Sequence, residues 1–266
     1  MENNSKSFFK PKNIDEVFEI IENLNENYIF IAGGVTVNWR GGKTETIISL
    51  ENVIENDVLD CCGSFEIGAG MKLASLKKNK LLNNINFFTG LIQASELIAS
   101  PQIRNMATIG GNFISAFDFS DTLGFFYLTE PDIKIINRFG VMTQPFKNML
   151  NAGGQFAIPK DTILNSFVYS AEMLGKYVRT GFHKETRVQR DLAVLNITAG
   201  KKNNGYFDIA IGSCWVKTTI FKDVKNFEDI KKNIEILPEP KRDVRASSEY
   251  RKKIIAELCY RLIDEM

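Results

Sequence analysis

Two glycine pairs, Gly33-Gly34 and Gly110-Gly111, give this 266-residue sequence its clearest candidate binding site. Glycine has no Cβ atom, so it accepts positive φ angles and lets a ligand approach the main chain closely. Successive backbone N–H groups in such a turn form a concave anion site that suits phosphate. Side-chain donors stand beside the pairs at Thr36, Thr108 and Asn112. The pattern therefore predicts two phosphate-binding turns, which together would grip the two phosphates of a dinucleotide.

A second interpretation of the glycine pairs stays open, because a paired glycine after a strand commonly forms a tight turn without any ligand. Neither pair belongs to a G-x-G-x-x-G pattern or to a G-x-x-x-x-G-K-[ST] pattern. The sequence therefore argues against a nicotinamide or ATP site of those two types.

The four cysteines and the single histidine exclude several other chemistries. Cys61 and Cys62 are adjacent, whereas Cys214 and Cys259 are isolated, and zinc and iron–sulfur sites use differently spaced thiolates. We expect Cys61 and Cys62 to be small, partly buried residues at the edge of a strand. A hydrolytic triad would depend on His183 alone, and a multi-histidine metal site is excluded. We therefore predict no metal site and no hydrolase activity.

Charge and hydropathy exclude further classes of protein. Thirty-three Lys and Arg against 32 Asp and Glu give a net charge of +1, so no basic surface for nucleic acid is predicted. Hydrophobic residues at 44% and charged residues at 24% are ordinary for a globular protein. No apolar run reaches the roughly 18 residues of a membrane span, so no membrane insertion is predicted. The N-terminus lacks a signal-peptide pattern, which predicts a cytoplasmic location.

Hydrophobic periodicity predicts an alternation of helices and strands in which the first glycine pair follows a strand and the second lies in a turn after the helix over 86–99. Asn13 is predicted to cap the first helix, and Ser120-Asp121 to cap the helix over 121–129. The predicted strands are 28–32, 46–50, 65–70, 133–137 with a partner from 141 onward, 163–168, 177–187, 191–198 and 206–212; the predicted helices are 14–24, 73–82, 86–99, 121–129, 226–234 and 247–264. This pattern indicates an α+β protein of two domains, with a boundary near residue 170.

The segment SPQIRNMATIGGN at 100–112 closely resembles a signature of the FAD-binding medium subunits of molybdenum hydroxylases, such as bacterial xanthine dehydrogenase and carbon monoxide dehydrogenase. FIAGGVT at 30–36 is similar to the first flavin loop of that family, with Val35-Thr36 in place of the usual Thr-Asp. Two later segments, 182–193 and 243–251, resemble further family patterns. The resemblance therefore spans nearly the whole chain, with its motifs in the family's order.

The resemblance implies a fold of α+β class, with a two-subdomain FAD-binding domain of the PCMH type at residues 1–170. The subdomains would cover about 1–57 and 58–170. Residues 171–266 would form a C-terminal domain of antiparallel sheet and helices, of the CO dehydrogenase flavoprotein type. FAD would lie extended between these parts of the chain.

The resemblance also implies a function in electron transfer. A small [2Fe-2S] subunit would supply electrons, which would pass through non-covalently bound FAD to NAD or another acceptor. The substrate would be oxidised on a molybdopterin-binding large subunit. Molybdopterin and iron–sulfur clusters would therefore lie only on partner subunits, and no residue of this chain would be catalytic.

Specific cofactor contacts follow from the same resemblance. The four glycines are expected to donate backbone N–H groups to the pyrophosphate, so that Gly33→Val or Gly110→Val would release FAD from a protein that stays folded. Thr36, Thr108 and Asn112 would add side-chain donors, with local capping of the turns as their alternative role. The expected cofactor-binding residues are Ile31, Ala32, Gly33, Gly34, Val35, Thr36, Val37, Ile98, Thr108, Gly110, Gly111, Asn112, Asp121, Leu164 and Lys184.

Four of these residues have individual expected roles. Asp121 would contact the ribose and adenine half of FAD, and plain helix capping is its alternative role. Lys184 would lie beside the flavin ring and favour the anionic reduced form, with a solvent-exposed lysine on a strand as the alternative. Ile98 and Leu164 would make apolar contacts with the cofactor, with plain core packing as the alternative.

Two other functions stay open at this point. The chain would instead be a stand-alone FAD-dependent oxidoreductase if it turned over an organic substrate by itself. It would be a scaffolding module without flavin if the altered Val35-Thr36 turn had lost the cofactor. Neither the holoenzyme's substrate nor its electron acceptor follows from the sequence.

Overall fold

Three sheets organise the described residues, 7–25, 27–36 and 46–266, of this computed structural model. The strands in this part of the chain are β1 (Phe8–Phe9), β2 (Tyr28–Ile31), β3 (Thr46–Ser49), β4 (Val58–Asp60), β5 (Phe65–Gly68), β6 (Asp132–Asn137), β7 (Gly140–Gln144), β8 (Ile163–Tyr169), β9 (Arg179–Glu185), β10 (Leu195–Lys201), β11 (Phe207–Gly212) and β12 (Thr219–Val224). The first sheet is parallel, with the order β1-β3-β2. The second, β4-β5-β8-β6-β7, and the third, β12-β11-β10-β9, are antiparallel. The α+β class is therefore confirmed.

The helices lie between and after these strands. Those bounded within the described residues are α1 (Ile14–Asn23), α2 (Leu73–Leu76), α3 (Lys80–Asn83), α4 (Thr89–Glu96), α5 (Pro101–Met106), α6 (Ile109–Ile114), α7 (Leu123–Thr129), α8 (Ala171–Gly175), α9 (Phe227–Glu235) and α10 (Ser248–Asp264), with 3-10 turns at Asn86–Phe88 and Phe146–Met149. No described helix is both long and apolar enough to cross a bilayer.

The first sheet is covered by α1, whose start follows the predicted capping pattern. Asn13 Oδ1 accepts a hydrogen bond of 2.9 Å from the backbone N–H of Glu16, and the Glu16 carboxylate accepts one of 2.8 Å from Lys12 N–H. Val17 on the inner face of α1 and Ile48 of β3 are fully buried in one apolar cluster. The predicted helix, its cap and the two flanking strands are confirmed.

An aromatic core fixes α6, the helix that carries the second glycine pair. Phe113 is fully buried, and its ring centroid lies 4.8 Å from Phe126, 4.4 Å from Phe156 and 5.2 Å from Phe167. Aromatic rings in these edge-on or tilted pairs pack favourably and bury a large apolar area. Because Phe113 points into this core, α6 holds Gly110-Gly111 in a fixed place.

The third sheet is packed on both faces. Helices α4 and α7 lie against one face, and α10 packs on the other through residues such as Leu258 and Leu262. Gly124 of α7 allows the close approach, because a Cβ atom there would lie 2.8 Å from Thr198 Oγ1 on β10. The third sheet therefore packs directly against α7.

Several predicted elements have different bounds in the structure. The helices over 73–82 and 86–99 are divided into α2, α3, a 3-10 turn and α4. Pro101, expected only to end a helix, also begins α5, where Ser100 Oγ accepts from Ile103 N–H. The predicted strand 191–198 begins at Leu195, and β12 was not predicted. These differences arise where short apolar runs fit more than one kind of element.

Two local predictions were wrong. Asp121 does not cap α7, since that helix has Thr122 at its N-cap and Asp121 is buried in an ion pair. Cys61 and Cys62 are exposed, because they lie in the turn between β4 and β5.

The predicted boundary near residue 170, with its subdomains, stays a prediction. The largest apolar cluster contains β5 and β8 residues together with Tyr177 and Ala210. Buried apolar contacts therefore continue across that point of the chain.

Candidate functional site

A cleft of about 710 Å³ lies between the first sheet, α6 and β8. Its size is within the range of roughly 300–1,000 Å³ that ligand sites occupy. Most of the predicted cofactor residues line it, namely Ile31, Ala32, Gly33, Gly34, Val35, Thr36, Ile98, Thr108, Gly110, Gly111, Asn112 and Leu164. Val37 lies outside the described residues, and Asp121 and Lys184 are not part of the lining. The structure thus brings the two glycine-rich segments together around one cavity.

The walls of the cleft are apolar. They are formed largely by isoleucines that the sequence did not single out, including Ile54, Ile103, Ile158 and Ile163. Among the described residues, no charged side chain lines the cleft. A phosphate bound here would therefore be held by dipoles and hydrogen bonds rather than by a described lysine or arginine.

The first glycine segment follows β2, and its two glycines have different roles. A Cβ atom on Gly33 would lie 2.2 Å from the carbonyl oxygen of Met106, so this glycine permits contact between the segment and the end of α5. Gly34 has a φ of +70°, and a Cβ there would meet nothing within 4 Å. Only Gly34 therefore leaves open space that a ligand can approach.

The second glycine segment begins α6 and does not form a separate turn. The N–H of Gly110 donates to Ala69 O at 2.9 Å, and the N–H of Gly111 donates to the capping hydroxyl of Thr108 at 3.1 Å. The expectation that Gly110 and Gly111 donate their backbone N–H groups to a phosphate was therefore wrong: the Gly110 N–H joins α6 to the end of β5, and the Gly111 N–H is used by the cap of α6. A Cβ on Gly110 would also lie 2.6 Å from the Cβ of Ala69.

Hydroxyl groups connect the two segments across the cleft. Ser115 Oγ donates to Gly111 O at 2.6 Å and lies 3.0 Å from Thr36 Oγ1. Since the Ser115 proton points to Gly111, the Thr36 hydroxyl donates to Ser115. Thr108 Oγ1 accepts from Gly111 N–H, which leaves its own proton for a ligand. Thr108 therefore suits the expected donor role, whereas the Thr36 proton holds the segments together.

Asn112 also faces the cleft, with its amide fixed from behind. Its Oδ1 accepts hydrogen bonds from Ser120 Oγ at 2.9 Å and from Thr122 Oγ1 at 2.5 Å. Asn112 was predicted from the motif, whereas the hydroxyls of Ser115 and Thr122 were not predicted to take part in the site. The only signal for Ser115 was its spacing of four residues after Gly111, at which a serine hydroxyl can bond back to a carbonyl of the preceding helical turn.

Asp121 and Lys184 form a buried ion pair beside the cleft. Their carboxylate and ammonium groups are 2.7 Å apart, and the side chains are 4% and 5% exposed. Lys184 Nζ also donates to Leu97 O at 3.2 Å, and Asn196 donates to Asp121 Oδ1 at 3.3 Å. Burial raises the pKa of Asp121 to about 6, against the opposing effects of Lys184 and Asn196. Because the two side chains touch, they do not reach opposite ends of an extended dinucleotide, so the two expected roles exclude each other.

Gly34→Ala is expected to weaken FAD binding roughly tenfold while the protein stays folded. The added methyl group and the left-handed φ would cost about 1 kcal/mol of stability and displace the segment from the cleft. Gly205→Ala is the matched control, since Gly205 has a φ of +80°, open space around it and a place in the turn after β10. FAD titration and urea unfolding of both variants test this. Equal FAD affinity in the two variants would contradict the role of Gly34.

Comparison with known proteins gives concordant matches. Residues 3–168 match the family described as the FAD binding domain in molybdopterin dehydrogenase. The xanthine dehydrogenase FAD-binding subunit of Escherichia coli O157:H7 is 23% identical over 184 residues, which are 66% of this chain. The match covers 62% of that relative, less than two thirds of its length.

Solved structures show the same fold over the whole chain. A carbon monoxide dehydrogenase chain from Hydrogenophaga pseudoflava superposes with a TM-score of 0.83 at 18% identity, covering 99% of this chain and 98% of its own. A quinoline 2-oxidoreductase chain from Pseudomonas putida 86 gives 0.82 at 17% identity, covering 100% and 98%. The expected flavoprotein-type fold is therefore confirmed.

Proposed function

Because the chain belongs to the family of FAD-binding domains in molybdopterin dehydrogenases, we propose that it is the FAD-binding, electron-transfer subunit of a molybdopterin-dependent hydroxylase. The observation that carries this proposal is that both glycine-rich segments, with most of the residues that the motifs identify, line one cleft of about 710 Å³. The family's cofactor thus has a cavity of suitable size between the residues that the motifs identify.

The residues of the cleft fit FAD. Gly34 offers a cradle that a side chain would fill, and Thr108 and Asn112 offer an O–H and an N–H donor. The isoleucine-rich walls suit the apolar ring surfaces of a dinucleotide. When bound, FAD supplies reversible exchange of electrons and hydride. The protein's own contribution would be to bind it, orient it and shield it.

We place the other redox centres on partner subunits, as the resemblance to molybdenum hydroxylases implies. The described residues include no group of three or more His, Cys, Asp or Glu side chains placed to hold a metal ion. Electrons would enter from a [2Fe-2S] subunit and leave to NAD or another acceptor. The substrate would be oxidised at the molybdopterin centre of a large subunit.

The test of this function is purification of the full chain with and without the two partner subunits. We expect a complex that contains molybdenum, iron and one FAD, and that oxidises its substrate only when all three subunits are present. Steady turnover of an aldehyde or N-heterocycle by the isolated, FAD-loaded chain would support the stand-alone oxidoreductase instead. Isolation of a stable complex that lacks FAD would support the scaffolding module.

FAD affinity is expected to depend little on salt. Salt screens attraction between a phosphate and cationic side chains, and no charged side chain among the described residues lines the cleft. Between low and high sodium chloride we expect the Kd to change by less than about threefold. A loss of affinity of roughly tenfold or more would contradict binding through dipoles, and titrations at constant pH measure the difference.

A further inference from the structure

We propose that Ser120 and Thr122 are positioning residues that hold the amide of Asn112 with its Nδ2 turned toward the cleft. Asn112 would then donate a hydrogen bond to an oxygen atom of the bound cofactor. This inference rests on the proposed function, since it assigns one polar contact of the same FAD site.

The geometry of the amide carries the first step. Both lone pairs of Asn112 Oδ1 are used, one by Ser120 Oγ at 2.9 Å and the other by Thr122 Oγ1 at 2.5 Å. Nδ2 lies on the other branch of the amide, and among the described residues it has no acceptor. Because Asn112 lines the cleft, the unpaired donor is the polar group that a ligand there would meet.

The two hydroxyls are themselves fixed by burial and by the third sheet. Ser120 is 6% exposed and Thr122 is fully buried. Asn196 of β10 donates to Ser120 O at 3.4 Å and to Asp121 Oδ1 at 3.3 Å. Gly212 pairs with Asn196 in register, and a Cβ there would lie 2.2 Å from Asn196 Oδ1. The third sheet therefore makes room for the side chain that anchors the 120–122 segment.

The Thr122 hydroxyl is not used to cap a helix. Thr122 stands at the N-cap of α7, yet its side chain makes no capping hydrogen bond. Ser, Thr, Asp and Asn at this position ordinarily bond to the helix backbone. Here the hydroxyl bonds to Asn112 instead, so it is placed to orient the cleft-facing amide.

A double-mutant cycle on the full chain tests the proposal through its Kd for FAD. We expect Ser120→Ala with Thr122→Val to weaken FAD binding about tenfold, because the released amide rotates. The same two changes in an Asn112→Ala background should alter the Kd by less than about twofold, because they act through Asn112. Thr122→Ser should retain nearly full affinity.

Ser95→Ala with Thr129→Val is the matched control. Both hydroxyls are buried and donate to a backbone carbonyl of their own helix, at Ile92 and Phe125, away from the cleft lining. We expect this pair to lower stability without changing the Kd. The control therefore distinguishes a general loss of buried hydrogen bonds from a loss of the orientation of the Asn112 amide.

Asn112→Asp gives a second test that does not depend on the double variant. The aspartate retains an oxygen for both hydroxyls but places a carboxylate oxygen where Nδ2 stood. We expect FAD affinity to fall by more than tenfold with the melting temperature nearly unchanged, through repulsion of the anionic cofactor.

Two results would overturn the inference. One is an equal loss of affinity from Ser120→Ala with Thr122→Val in the wild-type and Asn112→Ala backgrounds. The other is wild-type FAD affinity in Asn112→Asp. Both results are measured on a chain that binds FAD before it is changed. If the unmodified chain does not bind FAD, the proposed function itself is wrong.

Discussion

Replacing Gly110 with valine is expected to destabilise the whole protein, with loss of FAD as a consequence. A Cβ at this position would lie 2.6 Å from Ala69 Cβ and 2.8 Å from Ala69 O, and the contact with backbone leaves no flexible group to move aside. We expect the overpacked side chain to lower the free energy of unfolding by about 3 kcal/mol. For a chain of this length that loss corresponds to a decrease in Tm of roughly 6 to 10 °C. Thermal unfolding in the absence of FAD measures the effect.

Gly175→Val is the control for that substitution. A Cβ at Gly175 would meet nothing within 4 Å, so the same chemical change should leave the Tm within a few degrees of wild type. A Gly110→Val protein with wild-type Tm and no FAD would contradict the packing role and restore the original expectation of a direct phosphate contact.

Lys184→Met is expected to cost roughly 3 to 5 kcal/mol at pH 8, because it leaves the buried carboxyl of Asp121 without its cation. The pair is almost fully buried, with 4% and 5% of its side chains exposed, so solvent screens it little. Lys77→Met removes a lysine from an exposed pair with Glu96 and should cost less than about 1 kcal/mol. Urea unfolding of both variants compares the two sites.

The cost of Lys184→Met should shrink as the pH falls. Burial raises the folded-state pKa of Asp121 to about 6, above the ordinary value of 3.8, so the folded protein holds this proton more tightly than the unfolded chain. Protonated Asp121 therefore contributes fully to the stability of the folded protein below about pH 4, and this contribution is lost as the pH rises through about 6. Without Lys184 that pKa rises further, so the variant continues to lose stability above pH 6 while wild type does not.

Urea unfolding of wild type and Lys184→Met at pH 5 and pH 8 therefore tests the direction of this pH dependence. We expect the difference in unfolding free energy between wild type and Lys184→Met to be larger at pH 8. A difference that is the same at both pH values would show that Asp121 and Lys184 do not interact as the structure places them.

Local patterns predicted much of the fold from the sequence. The cap at Asn13, the hairpin of β6 and β7, and the helices α9 and α10 follow from periodicity and turn residues within short windows. The split of the 73–99 region and the missed β12 depended on packing against distant elements, which no short window contains.

The candidate site could be predicted as a set of residues but not in its individual roles. The motifs identified the glycines, Thr108 and Asn112, and the structure brings them to one cleft. Gly33 packs against Met106 and Gly110 against Ala69, and no motif indicates these contacts because the partners lie more than 40 residues apart in sequence. Asp121 and Lys184 were assigned separately, because nothing in the sequence indicates that residues 63 positions apart are paired.

Titration of the FAD-depleted full chain with FAD, followed by flavin fluorescence and circular dichroism, shows whether the cleft holds the cofactor. We expect saturation at one FAD per chain, a Kd that Gly34→Ala raises and Gly205→Ala does not, and no change in secondary structure. A natively folded chain that binds no FAD, or whose binding is equally insensitive to both glycine substitutions, would contradict a cofactor site in this cleft.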